Sequence, residues 1–221
     1  MTMTETLNLF ADADQDRTWC EELCPGARVL RRFALPYTNE IHSALCDIVS
    51  QAPYRQMTTP GGFRMSVAMT NCGSYGWVTD RSGYRYDGLD PESGKHWPAM
   101  PPVFLELAQH AAAQANFLRF EPDACLINCY EPDARLSLHQ DKNERDFAQP
   151  IVSVSLGVAA TFLFGSLQRT DKPLRIALAH GDVVVWGGPA RLRYHGVLPL
   201  KADAHSFAGA RRINLTFRRV M

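Results

Sequence analysis

In the second half of the chain, apolar and polar residues alternate in short runs separated by turn residues. The runs fall at 124–130, 135–140, 150–156, 160–165, 174–179, 182–186, 192–198 and 211–218. Alternation puts successive side chains on opposite faces, so each run predicts a strand. Eight short strands at close spacing predict a sandwich or a barrel. The last run is the cleanest: Ile213, Leu215 and Phe217 share one face, and Arg212, Asn214, Thr216 and Arg218 the other. The first half is patterned differently. From Asn39, the residues Ile41, Ala44, Leu45, Ile48 and Val49 recur at helical spacing and stop before Pro53. Pro102 opens a second helix reaching about Ala115, with Phe104, Leu107, Ala108 and Ala111 as its apolar stripe. Val29–Leu30 is strand-like, and residues 1–26 are acidic, weakly patterned and predicted to be an irregular arm. The fold class is mainly β with flanking helices (α+β), in one domain over residues 1–221.

Between the two helices, residues 54–101 fit neither period. The segment is rich in Gly and Pro and interleaves arginines such as Arg55, Arg64 and Arg85 with Tyr54, Trp77, Tyr84 and Trp97. Loops this long are uncommon unless they are functional or fold into hairpins. Some of these rings belong to the core. As a set, arginines beside stackable rings also suit nucleotide recognition.

Composition narrows the class. Hydrophobic residues at 46% and charged residues at 21% are those of a globular protein. The formal net charge of zero argues against bulk adhesion to nucleic acid or membrane, so nucleic-acid contact would need a local patch. There is no apolar run of membrane-spanning length, and Met1–Glu5 lacks the start of a secretory signal. A cytoplasmic protein with no membrane partner is expected. The six cysteines lack zinc-site spacing and read as reduced thiols.

The strongest chemical signal is His139-Gln140-Asp141 at the end of an alternating run. Residues two apart on a strand point the same way, which presents an imidazole beside a carboxylate. That is most of the 2-His-1-carboxylate set suited to non-haem Fe(II). The best third ligand is His195, 56 residues further on. Ligands at one strand end and on a later strand favour a double-sheet jelly roll, the double-stranded β-helix. Inside it, Arg212 and Arg218 would be costly beside a metal unless an anion were present, and a dicarboxylate would satisfy both. His180-Gly181-Asp182 reads as a turn between strands.

Several of these motifs, taken in order, resemble the AlkB family of Fe(II)/2-oxoglutarate-dependent DNA repair dioxygenases. They are Thr59-Pro60-Gly61-Gly62, Met65 to Gly73, Asn128-x-Tyr130, His139-Gln140-Asp141-Lys142, Ile151 to Gly157, His180 to Gly188, Tyr194-His195-Gly196 and Arg212-x-Asn214 to Arg218. The resemblance runs from about Leu9 to Arg218. It implies a jelly-roll catalytic core over 124–218 and a nucleotide-recognition lid over 54–101. It implies an iron triad of His139, Asp141 and His195, with Fe(II), 2-oxoglutarate and O2 as cofactor and cosubstrates. The 2-oxoglutarate site maps onto Asn128, Tyr130, Leu136, Ser153, Arg212, Asn214 and Arg218, with Arg218 nearer the metal. Substrate contacts map onto Thr59, Met65, Ser66, Trp77, Tyr84, Asn143, Glu144 and Arg169. The family pattern usually has aspartate at the position of Asn143, where the amide keeps an acceptor but loses a charge.

The activity implied is oxidative demethylation of 1-methyladenine and 3-methylcytosine in single- or double-stranded DNA, and in RNA, by a monomer. The alternative is a 2-oxoglutarate oxygenase acting on a modified tRNA base or a protein side chain. A non-catalytic jelly-roll binding protein should have lost a metal ligand or an arginine of the last strand; all are present.

Overall fold

The computed structural model describes residues 18–221. Within them, thirteen strands and two α-helices build two facing sheets and a separate hairpin. The larger sheet is antiparallel throughout and contains β1 (Trp19–Cys24), β2 (Ala27–Arg31), β3 (Ala68–Gly73), β6 (Ala124–Tyr130), β8 (Ile151–Gly157), β11 (Val183–Trp186) and β13 (Arg212–Arg218). Its spatial order is β1-β2-β11-β8-β13-β6-β3. The smaller sheet has the order β10-β9-β12-β7, from β7 (Leu136–His139), β9 (Ala160–Phe164), β10 (Leu174–Leu178) and β12 (His195–Val197). This is the double-sheet jelly roll that the alternation and the ligand placement predict.

Strand parity decides what each face does. Ile213, Leu215 and Phe217 of β13 pack with Ile127 of β6 and Val152 and Val154 of β8 in one core. Helices α1 (Thr38–Gln51) and α2 (Pro102–Gln114) close that core through Ile41, Ile48, Phe104 and Leu107. The opposite face meets the smaller sheet, where Val184 and Trp186 join Phe162, Phe164, Ile176 and Val197 in a second core. Cys129 lies on the helix side, away from Asn128 and Tyr130. The polar members of β6, β8 and β13 are therefore turned into the space between the sheets, where unpaired polar groups are expensive.

Two segments differ from the sequence expectation. The arm read as irregular contains β1 from Trp19 onward; the rest of that reading, residues 1–17, lies outside the described residues. β1 is an edge strand held by charge: the Glu21 carboxylate accepts from Arg31 at 3.0 and 2.8 Å and from the Trp19 indole at 2.8 Å. The run read as a strand over 192–198 is strand only at His195–Val197. A 3-10 turn over Gly188–Ala190 and the bond from Arg193 N–H to the Ala190 carbonyl delay its start. In the segment 54–101, β3 belongs to the larger sheet. β4 (Gly76–Asp80) and β5 (Gly83–Asp87) form a two-stranded sheet of their own.

Two details set up the site. β12 pairs with β7 so that His195 lies directly opposite His139, with a register shift before Val197 meets Leu136. The shift brings β7 backbone against Gly196, where a Cβ would sit 2.7 Å from the Leu136 carbonyl oxygen. Only glycine fits this close approach.

His180-Gly181-Asp182 is a turn, as expected. Buried Asp182 accepts from Arg31 at 2.7 Å and from the Arg32 and Ala179 amides at 2.9 Å each. His180 Nδ1 accepts the Gly157 amide at 3.0 Å, and the ring stacks on His205 at 4.4 Å. Burial, then the neighbouring His205, pushes the His180 pKa down to about 4. The unfolded chain takes up this proton first as pH falls, so stability present above about pH 6.5 is lost towards pH 4. His180→Asn, which can accept the amide without titrating, should flatten the fall in urea midpoint between pH 6.5 and 4.5. An unchanged slope would remove His180 from this account.

Candidate metal centre and cosubstrate pocket

His139 ends β7, Asp141 follows two residues later, and His195 opens β12. One ligand atom from each lies within 4.8 Å of the others. His139 Nε2 is 3.7 Å from Asp141 Oδ1, and His195 Nε2 is 3.7 Å from Oδ2. The tautomers suit a metal. His139 Nδ1 faces the Ser137 carbonyl at 2.8 Å, and His195 Nδ1 faces that of Arg193 at 3.1 Å. A carbonyl only accepts, so each Nδ1 carries a hydrogen, which leaves Nε2, on the Asp141 side, as the nitrogen placed to ligate. Gln140 is tied to the Leu192 carbonyl at 2.6 Å, which pins the residue between the ligands.

Electrostatics agrees with this donor set. Burial pushes the Asp141 carboxyl up, but the Arg218 guanidinium and both imidazoles outweigh it and hold it well below the usual carboxylate range. Arg218 donates to Asp141 Oδ2 at 2.8 and 2.5 Å. Burial, reinforced by His139, pushes His195 down to about 4, so it is neutral and able to ligate at neutral pH. An anionic oxygen and two imidazole nitrogens on one side of a point, with both histidines on paired strands, fit a 2-His-1-carboxylate iron site.

Beside the triad, the inward residues of β13 and its neighbours form a polar pocket. Arg212, only 1% exposed, donates Nη2 to the Ser155 hydroxyl at 3.0 Å and lies 5.0 Å from the centre of the Tyr130 ring. Its Nε and Nη1 are buried without partners, and no carboxylate pairs with it among the described residues. Burial lowers the Arg212 pKa, with Tyr130 opposing, and raises that of Tyr130 to about 12. Asn214 bridges the Ser153 hydroxyl at 2.8 Å, the Val154 carbonyl at 2.9 Å and Asn128 at 3.2 Å, leaving Asn128 Oδ1 unsatisfied. A cation with idle donors, deep between sheets, calls for an anion. Leu136 packs at the edge of the same inner core.

The residues mapped to substrate contacts are more scattered. Trp77 and Tyr84 stack on the β4–β5 hairpin, ring centres 5.7 Å apart. Thr59 shapes a turn by accepting the Phe63 amide at 3.2 Å, and Met65 packs into the inner core. Ser66 ties this loop to the jelly roll, its hydroxyl meeting the Arg135 amide and carbonyl at 3.1 Å each. Asn143 is exposed, and Arg169 is exposed in the β9–β10 loop. Glu144 stands apart: it is buried among Tyr86, Arg191 and Arg218. Sequence reasoning put Thr216 on the inward face without giving it a role; it passed over Ser155, which parity on β8 would have found, and Tyr86 and Arg191, whose partner Glu144 lies far away in the chain.

A jelly roll with such a triad beside a buried, anion-seeking arginine defines a class, the non-haem iron oxygenases that consume a 2-oxo dicarboxylate. The chain belongs to the 2OG-Fe(II) oxygenase superfamily, whose sequence profile matches residues 26–218, and within it to the AlkB family. It is 56% identical over 212 residues to the alpha-ketoglutarate-dependent dioxygenase AlkB of Escherichia coli, covering 96% of this chain and 97% of that one. It is 34% identical over 121 residues to the human nucleic acid dioxygenase ALKBH1, covering 55% of this chain and 31% of that one. The solved structure of OsALKBH1 superposes with a TM-score of 0.79 at 29% identity, covering 91% of this chain and all of that one. The protein is an Fe(II)/2-oxoglutarate-dependent dioxygenase that uses O2. No helix among the described residues is long and apolar enough to cross a membrane.

Proposed function

We propose that the enzyme removes methyl groups from ring nitrogens of damaged bases, 1-methyladenine and 3-methylcytosine, in DNA and also in RNA. The observation that carries this reading is the hairpin bearing Trp77 and Tyr84 as a stacked aromatic pair. A splayed-out base is held by stacking, and every base has a π-face. The human relative's name gives nucleic acid as its substrate, which supports the same class here. In this reading residues 54–101 act as the lid and 124–218 as the catalytic core. The enzyme is a cytoplasmic monomer acting on single- or double-stranded nucleic acid.

His139, Asp141 and His195 would hold Fe(II). Arg212 would take the distal carboxylate of 2-oxoglutarate with its idle Nε and Nη1, beside the Tyr130 ring. Asn214, held by Ser153, Val154 and Thr216, accepts from Asn128 and keeps it in place. Arg218 orients Asp141 and neutralises the metal-side end of the pocket. When bound, iron with 2-oxoglutarate and O2 supplies the oxidation, yielding succinate, CO2 and a hydroxylated methyl that leaves as formaldehyde. Trp186 and Phe162, with Phe164 packed on Trp186, form an apolar wall that shields His195 from water. The base would lie between Trp77 and the open side of His139, whose side chain is 40% exposed. Thr59, Met65 and Ser66 shape the lid edge, and Arg169 and Asn143 are rim groups for the nucleotide. With an amide at Asn143, a cationic base gains a hydrogen bond there without a full counter-charge.

Lesion-dependent formaldehyde from a 1-methyladenine oligonucleotide, and none from a methylated peptide, is the expected result; the reverse would transfer the enzyme to protein substrates. Trp77→Ala should raise the KM for the oligonucleotide about tenfold to a hundredfold, the size of one lost base–aromatic stack. An unchanged KM would place the base elsewhere.

A further inference from the structure

The structure assigns Glu144 and Arg191 a positioning role: together they form a buried strut that fixes the β4–β5 hairpin to the loop carrying Asp141. The inference deepens the reading of that hairpin as the base-recognising lid. An isolated two-stranded hairpin is marginal in water and takes its stance from what anchors it. Trp77 is paired across the strands with Tyr86, and Thr79 with Tyr84, so Trp77, Tyr84 and Tyr86 share one face. The Tyr86 hydroxyl donates to Glu144 Oε1 at 2.6 Å. Asn71 of β3 holds the Trp77 backbone at 3.1 and 3.0 Å, and the Tyr86 bond adds an anchor on the face that carries the rings, so fixing Tyr86 helps aim Trp77 and Tyr84.

The other end of the strut is equally specific. Residues 140–150 contain no strand or helix, so no ladder holds them. Arg191 holds them instead. It is 3% exposed and donates Nη1 to the Asp141 carbonyl at 2.8 Å and Nε to the Gln149 carbonyl at 3.1 Å. Its Nη2 lies 3.1 Å from Glu144 Oε2. Arg218 lies 3.4 Å from Glu144 Oε1 while it binds Asp141. Two carboxylates and two guanidiniums thus balance in one buried cluster that joins the hairpin, the metal-binding loop and β13. Lysine at position 191 would keep the charge but lacks the planar fork that donates to two carbonyls while pairing with the Glu144 carboxylate. Glu144 is thus a member of this cluster and Arg191 its anchor, and neither needs to touch the base to place it.

Hydrogen exchange on the full-length protein tests the strut without substrate or metal. In Tyr86→Phe, amides of Gly76–Asp80 and Gly83–Asp87 should exchange about tenfold faster, the size of one hydrogen bond to a charged group. β8 and β13 should stay as protected as before. In Arg191→Lys, the faster exchange should extend to residues 140–150. Unchanged hairpin exchange in Tyr86→Phe would overturn the proposal. The second readout is the ratio of succinate to formaldehyde with a methylated oligonucleotide. A loosened lid presents the base poorly, so the ratio should at least double in Tyr86→Phe, which a purely structural role would not cause. An unchanged ratio would also overturn the proposal. If the wild-type enzyme released no formaldehyde at all, the substrate reading would fail, while hairpin exchange would still decide the strut.

Discussion

Arg212→Met should raise the 2-oxoglutarate requirement at least about a hundredfold while making the protein without cosubstrate more stable. Both effects follow from one observation. Arg212 is 1% exposed, and its Nε and Nη1 have no partner. A buried charge without a counter-ion costs several kcal/mol, and an apolar residue of similar length removes that cost; replacing even whole buried ion pairs by apolar residues can gain about 1–4 kcal/mol. The cosubstrate loses its charge-assisted, two-pronged contact, and losing one partner of a buried ion pair costs about 2–5 kcal/mol of binding. Succinate formation against 2-oxoglutarate concentration measures the first effect. Thermal unfolding with and without 2-oxoglutarate measures the second: the wild type should gain from the ligand and the variant should not. An unchanged requirement would remove Arg212 from the pocket.

Asp141→Ala should reduce turnover below about a thousandth of wild type and abolish stoichiometric iron binding. The carboxylate is the only anion of the triad, and both imidazoles are aimed at it from 3.7 Å. The fold should survive, because Arg218 retains Glu144 at 3.4 Å as a second counter-charge. Asp141→Asn keeps the volume and removes the charge, which separates loss of the ligand from loss of packing. Full activity of either variant with added Fe(II) would move the metal elsewhere.

How much of this was legible in the chain depends on whether the physics was local. Parity along Arg212–Arg218 assigned every side chain of β13 to its correct face, because a strand's period is two and one face had to be apolar. His139 and Asp141 were legible for the same reason. The opposition of His139 and His195 was not, since cross-strand register depends on the shift that Gly196 permits. β1 was hidden because an edge strand can be held by ion pairs and needs no apolar face; Glu21 and Glu22 obscure its alternation. β3 was hidden by buried polar residues: Thr70 donates to the Ala52 carbonyl at 2.7 Å, and Asn71 bonds both backbone groups of Trp77. Glu144 maps by resemblance to a substrate contact beside Asn143, and its place in a buried cluster is not legible locally. Its partners Tyr86 and Arg191 stand 58 and 47 positions away in the chain, and no local pattern joins them.

The proposed demethylation requires the metal centre, the cosubstrate pocket and the aromatic hairpin to act together. The direct measurement is anaerobic loading with Fe(II) and 2-oxoglutarate, then air and a 1-methyladenine oligonucleotide, with succinate and formaldehyde counted together. Matched amounts, both dependent on the lesion, are the predicted result. Succinate formed without formaldehyde, whether or not the lesion is present, would contradict it and leave an oxygenase whose substrate is not a methylated base.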